Sequence, residues 1–262
     1  MDKVLYIIFV MAMLNSCKEP TIEYKDLEEN NIKLEKSVSV EELNAEQLIV
    51  VLVEKNNAIN GLLRRFENIN DKWVQIDSSI SVTIGKNGLA KGNGEEVEFD
   101  ASGTIKREGD GKSPSGIFTI GSAFGFDLPD TNMDIKLPFY HITEVSRCIE
   151  DSNSIYYNQI VNESDIEKDW DSADRMRAVN LYKWGFFVNH NTPSIKGFGS
   201  CVFFHIWRAP GKYTLGCTAM SEKNILTLLQ WIDPEKSPLL IQYNRLDYLK
   251  IASLIDIPKR AF

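Results

Sequence analysis

Histidine and cysteine are scarce in this chain: of 262 residues, 3 are histidine and 4 are cysteine. His141, His190 and His205 are spread along the chain, and no HExxH run occurs. That argues against a metallopeptidase, and neither a metal nor another cofactor is expected. Positive charge is also short. A net charge of -8 gives no basic face for phosphates, so no nucleic-acid partner is expected. A nucleotide loop is lacking as well. Gly111-Lys112-Ser113 ends like one, but Lys106 stands where the first glycine belongs, and Pro114 suits no helix start. The βαβ rhythm of a parallel sheet is missing too. The apolar run over residues 4–14 is too short to cross a bilayer as a helix.

What that run does fit is the core of a signal peptide, with Lys3 before it and Asn15-Ser16-Cys17 after it. The ending reads as a lipobox, which predicts residues 1–17 as a lipoprotein signal and Cys17 as the acylated residue. The alternative is a plain secretory signal with a chance cysteine. Acyl chains on Cys17 would anchor the protein to a membrane within the cell envelope, facing the periplasm or cell wall. Residues 18–46 are rich in Glu, Lys and Asn with few aromatics, and read as a flexible tether.

The domain is expected over residues 47–246. Residues 48–53 (LIVVLV) form a short, continuous, β-branched run, as a fully buried strand does. Residues 59–66, 73–76, 80–84, 116–120 and 140–145 read as further strands, and 184–190, 202–207 and 239–243 close the series. Residues 124–180 are an insertion over the groove, with a helix predicted at 164–176. Ile225, Leu228, Leu229 and Ile232 share one helical face behind Thr218 or Ser221 as cap. The fold class is mainly β, or β-rich α+β. The tail over residues 247–262 holds a short helix near 248–255.

The chemistry concentrates in residues 203–221 (FFHIWRAPGKYTLGCTAMS). His205 and Cys217 supply a base and a thiol, the least that cysteine nucleophilic catalysis requires. On strand 202–207, Phe203, His205 and Trp207 share one face and Val202, Phe204 and Ile206 the other. Gly216 frees the turn before the thiol. The predicted helix after Cys217 would favour the thiolate through its N-terminus.

This run resembles the catalytic segment of the L,D-transpeptidases of the YkuD type: a histidine, a loop, then Thr214-Leu215-Gly216-Cys217. Lys106-Arg107-Glu108-Gly109-Asp110-Gly111-Lys112-Ser113-Pro114-Ser115-Gly116, Tyr157-Asn158-Gln159 and Trp184-Gly185-Phe186-Phe187-Val188-Asn189-His190-Asn191 match one branch of that family. The commonest form has a second histidine before Gly-Cys and an arginine soon after, where this chain has Leu215 and Ala219. Roles of those two groups are therefore not carried over.

The resemblance implies twisted mixed sheets in a sandwich-like body, with a helix after the nucleophile. It implies Cys217 as nucleophile, His205 as base and the Gly216 N–H as an oxyanion donor. His190, Trp207, Thr214 and Thr218 are the implied substrate contacts. The implied partners are peptidoglycan stem peptides: Cys217 takes the acyl group of a tetrapeptide stem, and a neighbouring stem amine resolves it into a cross-link. Water in place of the amine would make the same site an L,D-carboxypeptidase, and a non-catalytic wall-binding lipoprotein would keep the fold and tether alone. With Cys217 as nucleophile and Cys17 lipidated, the pair left to form a disulfide is Cys148–Cys201. The rival arrangement makes Cys217 structural and leaves one of the other two free.

Overall fold

The computed structural model describes residues 44–95, 101–130 and 133–259. The expected signal segment with Cys17, and the expected tether as far as residue 43, lie outside the described residues. Ala45 is already buried, and the Glu46 N–H donates to the Lys236 carbonyl at 2.8 Å, so the ordered body starts slightly before residue 47.

Strand β1 (Gln47–Val53) is buried along its whole length. Its continuous apolar run has a simple cause: both of its faces are covered. Ile49 and Val51 enter one core cluster, with Ile225, Leu228 and Leu229 of helix α1 (Glu222–Trp231). Leu48, Val50 and Leu52 enter another, with Tyr248, Ile251 and Ala252 of helix α2 (Arg245–Leu254). Each such side chain stabilises the fold by about 2 kcal/mol through burial.

Around β1 the sheet is mixed. β1 runs antiparallel to β2 (Asn60–Asn68), which pairs with the long β3 (Trp73–Thr83). The two runs expected at 73–76 and 80–84 are thus one strand, kinked where Asp77 takes φ +59° and pairs with Arg65. On its other side β1 lies parallel to β13 (Leu239–Asn244). A short β4 (Leu89–Lys91) flanks the start of β5 (Ser113–Gly125). The thirteen residues of β5 bridge two parts of the fold: residues 116–119 pair with β13, and residues 120–125 pair with a strand further along the chain.

Among the described residues of 126–183, only β6 (Phe139–His141) stays with the main sheet, parallel to β5. After it, strands β7 (Ser146–Ile149), β8 (Ile160–Asn162) and β9 (Ala173–Arg175) make a separate sheet in the order β8-β7-β9. The helix expected over residues 164–176 is corrected here: its end is strand β9, paired antiparallel to β7. Its charged residues serve the loop instead of a helix face. Asp169 accepts from Ser154 Oγ at 2.5 Å and from the Ile155 N–H at 2.9 Å, and Trp170 packs edge-on against Tyr156.

The chain then returns as β10 (Trp184–Val188), β11 (Phe203–Ile206) and β12 (Thr218–Met220). β10 is the partner of the second half of β5. β11 is antiparallel to β10 and parallel to β12, and β12 meets β3 at Ala219 and Thr83. The path from β10 through β12, β3, β1 and β13 to β5 therefore closes on itself. Closure gives these strands a neighbour on each side and no open ladder there. The body is mainly β with mixed sheets, and a helix follows Cys217 in the chain.

Candidate active site

Cys217 occupies the turn that enters β12, and hydroxyl groups set its backbone. Its carbonyl accepts from Thr214 Oγ1 at 2.6 Å and from Ser113 Oγ at 2.8 Å. Ser113 Oγ in turn accepts from the Gly85 N–H at 2.9 Å. Gly216 has φ +155°, and a side chain there would put its Cβ 3.2 Å from the Lys112 carbonyl. Its N–H donates to Thr214 Oγ1 at 3.1 Å. The Gly216 N–H is thus engaged within the turn, and Thr214 holds the turn together.

The thiol sits at the base of the neighbouring strand. Cys217 Sγ accepts from the Phe203 N–H at 3.3 Å and donates to the Cys201 carbonyl at 3.6 Å. Burial pushes the thiol up to about 12; the Phe203 N–H opposes that shift, and the charges of Asp174 and Glu150 add to it. The expected help from a helix N-terminus is corrected. Strand β12 separates Cys217 from α1, whose N-cap is Ser221, and helix-dipole effects fade beyond the first turn.

His205 lies two residues beyond Phe203 on β11. Its register partners are Gly185 and Ala219, both small. Ring Nδ1 lies 2.8 Å from the Ile206 carbonyl. A carbonyl only accepts, so this contact assigns the proton to Nδ1 and leaves Nε2 as the basic nitrogen. The ring packs edge-on against Tyr182 at 5.3 Å. Burial lowers the imidazole to about 4, against the Ile206 hydrogen bond, which raises it. Imidazole and thiol are therefore both neutral at rest near neutral pH.

A cleft of about 620 Å³ is lined by His205 and by Gly216, the residue before the thiol. His205, Leu215 and Gly216 line one part of it, and Glu150, Asp174 and Tyr182 another. Lys106 and Arg208 bring positive charge to the same cleft. Glu150 is raised to about 7, first by burial and then by the nearby carboxylates of Asp174 and Glu108. No group of three or more His, Cys, Asp or Glu among the described residues is arranged to hold a metal ion.

Cys148 and Cys201 are joined in a disulfide, and Cys217 is a free thiol. The bond ties β7 to the segment whose Cys201 carbonyl meets the thiol. Other residues singled out from the sequence stand away from the cleft. His190 is buried, with Nδ1 accepting from the Asn93 N–H at 3.1 Å and Nε2 2.9 Å from the Phe198 carbonyl. Both nitrogens are occupied within the protein, which corrects its reading as a substrate contact. Thr218 is buried, and its hydroxyl donates to Gln242 Oε1 at 2.8 Å. Trp207 lines a different groove, of about 580 Å³, with Leu62, Arg64 and Pro210. Because β11 ends at Ile206, face alternation no longer governs Trp207.

Tyr157 and Asn158 prove to be scaffold. Tyr157 donates to Glu108 Oε2 at 2.5 Å and accepts from the Gly199 N–H at 3.2 Å. Asn158 donates to the carbonyls of His190 and Asn191 and accepts from the Cys201 N–H at 2.9 Å. Together they fix the loop that carries Cys201 to the thiol. Sequence reasoning missed Tyr182, Asp174, Glu150 and Arg208. Only Arg208, next to the histidine strand, carried a local signal.

The fold and cleft define a β-rich domain with a tautomer-fixed imidazole lining a polar cleft, and a free thiol on the residue after Gly216 of the same lining. The YkuD family model, described as the L,D-transpeptidase catalytic domain, matches residues 66–241. The chain belongs to that family, and its function is of the L,D-transpeptidase type, acting on peptidoglycan stem peptides. Neither the curated proteins nor the solved structures hold a significant match to it.

Proposed function

We propose that Cys217 is the nucleophile and His205 the base of a peptidoglycan L,D-transpeptidase. The observation that carries this reading is a free thiol held by the Phe203 N–H, with an imidazole whose Nε2 is left basic two residues along the same strand. Because the resting pair is neutral, proton transfer accompanies attack. The Cys217 S–H proton passes to His205 Nε2 as sulfur bonds to the stem carbonyl. The C–N bond to the terminal D-alanine then breaks, and the imidazolium returns the proton to the departing amine. A thioester remains. The amine of a neighbouring stem attacks it, giving its proton to His205, and the thiol is regenerated.

The charges of the cleft suit a substrate bearing both amine and carboxylate groups. Incubating the full chain with tetrapeptide muropeptides tests the reading by liquid chromatography and mass spectrometry. D-alanine release with cross-linked dimers is expected. D-alanine release with tripeptides alone assigns the L,D-carboxypeptidase reaction, and no release contradicts both.

The N-terminal run and Cys17 extend the proposal to a lipid-anchored protein of the cell envelope, with residues 18–43 as its tether. Labelled palmitate entering the wild-type protein and not Cys17→Ser is the expected result. Equal labelling of the two contradicts the anchor.

A further inference from the structure

Two groups hold the His205 ring, and they come from different parts of the chain. The Ile206 carbonyl, on Nδ1, belongs to the same strand. Tyr182 belongs to a 3-10 turn (Asn180–Lys183) that closes the insertion. Its ring meets His205 at 5.3 Å and Phe203 at 5.3 Å, both at 77°. It meets Phe124 at 6.2 Å and 79°. Three edge contacts set the plane of the tyrosine ring, and aromatic edge packing of this kind is directional. Its hydroxyl donates to Asp174 Oδ2 at 2.7 Å. Asp174 stands on β9 opposite Cys148 of β7, and Cys148 is the residue bonded to Cys201.

We infer that Tyr182 is a positioning residue for His205, and that Asp174 positions Tyr182. The Tyr182 ring stops the imidazole from turning away from the sulfur and keeps water from it, while Asp174 anchors the tyrosine through its hydroxyl. The inference rests on the reading of His205 as the base. Its consequence is that the separate sheet of β7, β8 and β9 is part of the catalytic apparatus. Rotation of the ring about Cβ–Cγ would break the Nδ1 bond, and the edge contact with Tyr182 restrains the same motion from another part of the chain. A ring turned away by about 1 Å costs on the order of 100-fold in rate. The charged and titratable groups sharing the cleft with the ring are Tyr182, Asp174, Glu150, Glu108, Lys86, Lys106 and Arg208.

Tyr182→Leu, Tyr182→Phe and Asp174→Asn in the full chain test this. The acylation rate with a carbapenem is followed against pH, and His205 is titrated by NMR in a Cys217→Ala background. Tyr182→Leu is expected to acylate about 100-fold more slowly. Its His205 titration should move from about 4 toward the ordinary 6.5 as water reaches the ring. Tyr182→Phe should show a smaller loss, about 5-fold, because packing persists without the anchor, and Asp174→Asn, whose amide oxygen can still accept the hydroxyl, should lose no more than that. Wild-type rates with an unmoved titration in Tyr182→Leu and Tyr182→Phe overturn the inference. If Tyr182→Leu does not fold, the other two variants decide by the same two readouts. A wild-type protein that never acylates removes the nucleophile reading, and the NMR titration then decides the role of Tyr182 alone.

Discussion

Thr214 Oγ1 donates to the Cys217 carbonyl at 2.6 Å while accepting the Gly216 N–H at 3.1 Å. One hydroxyl thus closes the turn that carries the thiol. Thr214→Val keeps the shape and loses both bonds, with an expected cost of about 2 kcal/mol in stability. Acylation should fall at least about 10-fold, because the sulfur loses its fixed position. Thermal melting and acylation kinetics measure the two effects. A variant that melts lower yet acylates at the wild-type rate would show the turn to be irrelevant to chemistry.

Alkylation reports the state of the thiol. Burial holds Cys217 up at about 12, so iodoacetamide labelling of the folded protein should be slow at neutral pH. The rate should keep rising well into the alkaline range. A rate that already levels off below neutrality would mean a preformed thiolate and a different mechanism.

Acid should weaken the fold through its buried histidines. His190 and His205 are both lowered to about 4, chiefly by burial, so the folded state binds fewer protons than the unfolded chain between there and the ordinary 6.5. Stability is therefore full above 6.5 and falls as pH drops toward 4, by on the order of 3 kcal/mol per histidine. Glu150 has the opposite sign. Its carboxyl is raised to about 7, so its contribution is present below its ordinary 4.5 and is lost as pH rises to about 7. Glu150→Gln should raise the melting temperature above neutrality and leave it unchanged in acid. Melting curves across pH check both signs, and a gain confined to acid would reverse the assignment for Glu150.

The Cys148–Cys201 bond closes a loop of 53 residues, which corresponds to about 4 kcal/mol in a chain-entropy account. Replacing both cysteines by serine should lower the denaturation midpoint. It should also slow acylation, since Cys201 touches the thiol and Cys148 neighbours Asp174. Unfolding in urea with and without reductant measures the first effect. An unchanged midpoint would show that the bond adds nothing to the fold.

How much of this was legible in the sequence depended on how local its cause was. The continuous apolar run of β1 and the 3.6-residue period of α1 announce themselves, because burial dictates residue type directly. The histidine and cysteine stood in one short run. Asp174, Tyr182 and Glu150 did not, because they reach the cleft through β9, a turn and β7, which only tertiary pairing assembles. His190 misled for a related reason. Resemblance alone placed it near the groove, and the partners that bury it, Asn93 and Phe198, come from other loops. The helix expected over 164–176 fails because residues 173–175 pair with β7 instead.

The central claim is that Cys217 is an acyl-accepting nucleophile activated by His205. Intact-mass spectrometry of the full chain after exposure to a carbapenem tests it most directly. The account predicts a single covalent adduct on the wild type, none on Cys217→Ala, and a rate lower by about 100-fold or more on His205→Ala. A folded, reduced wild type that stays unmodified, or a Cys217→Ala variant that still gains the adduct, would contradict it.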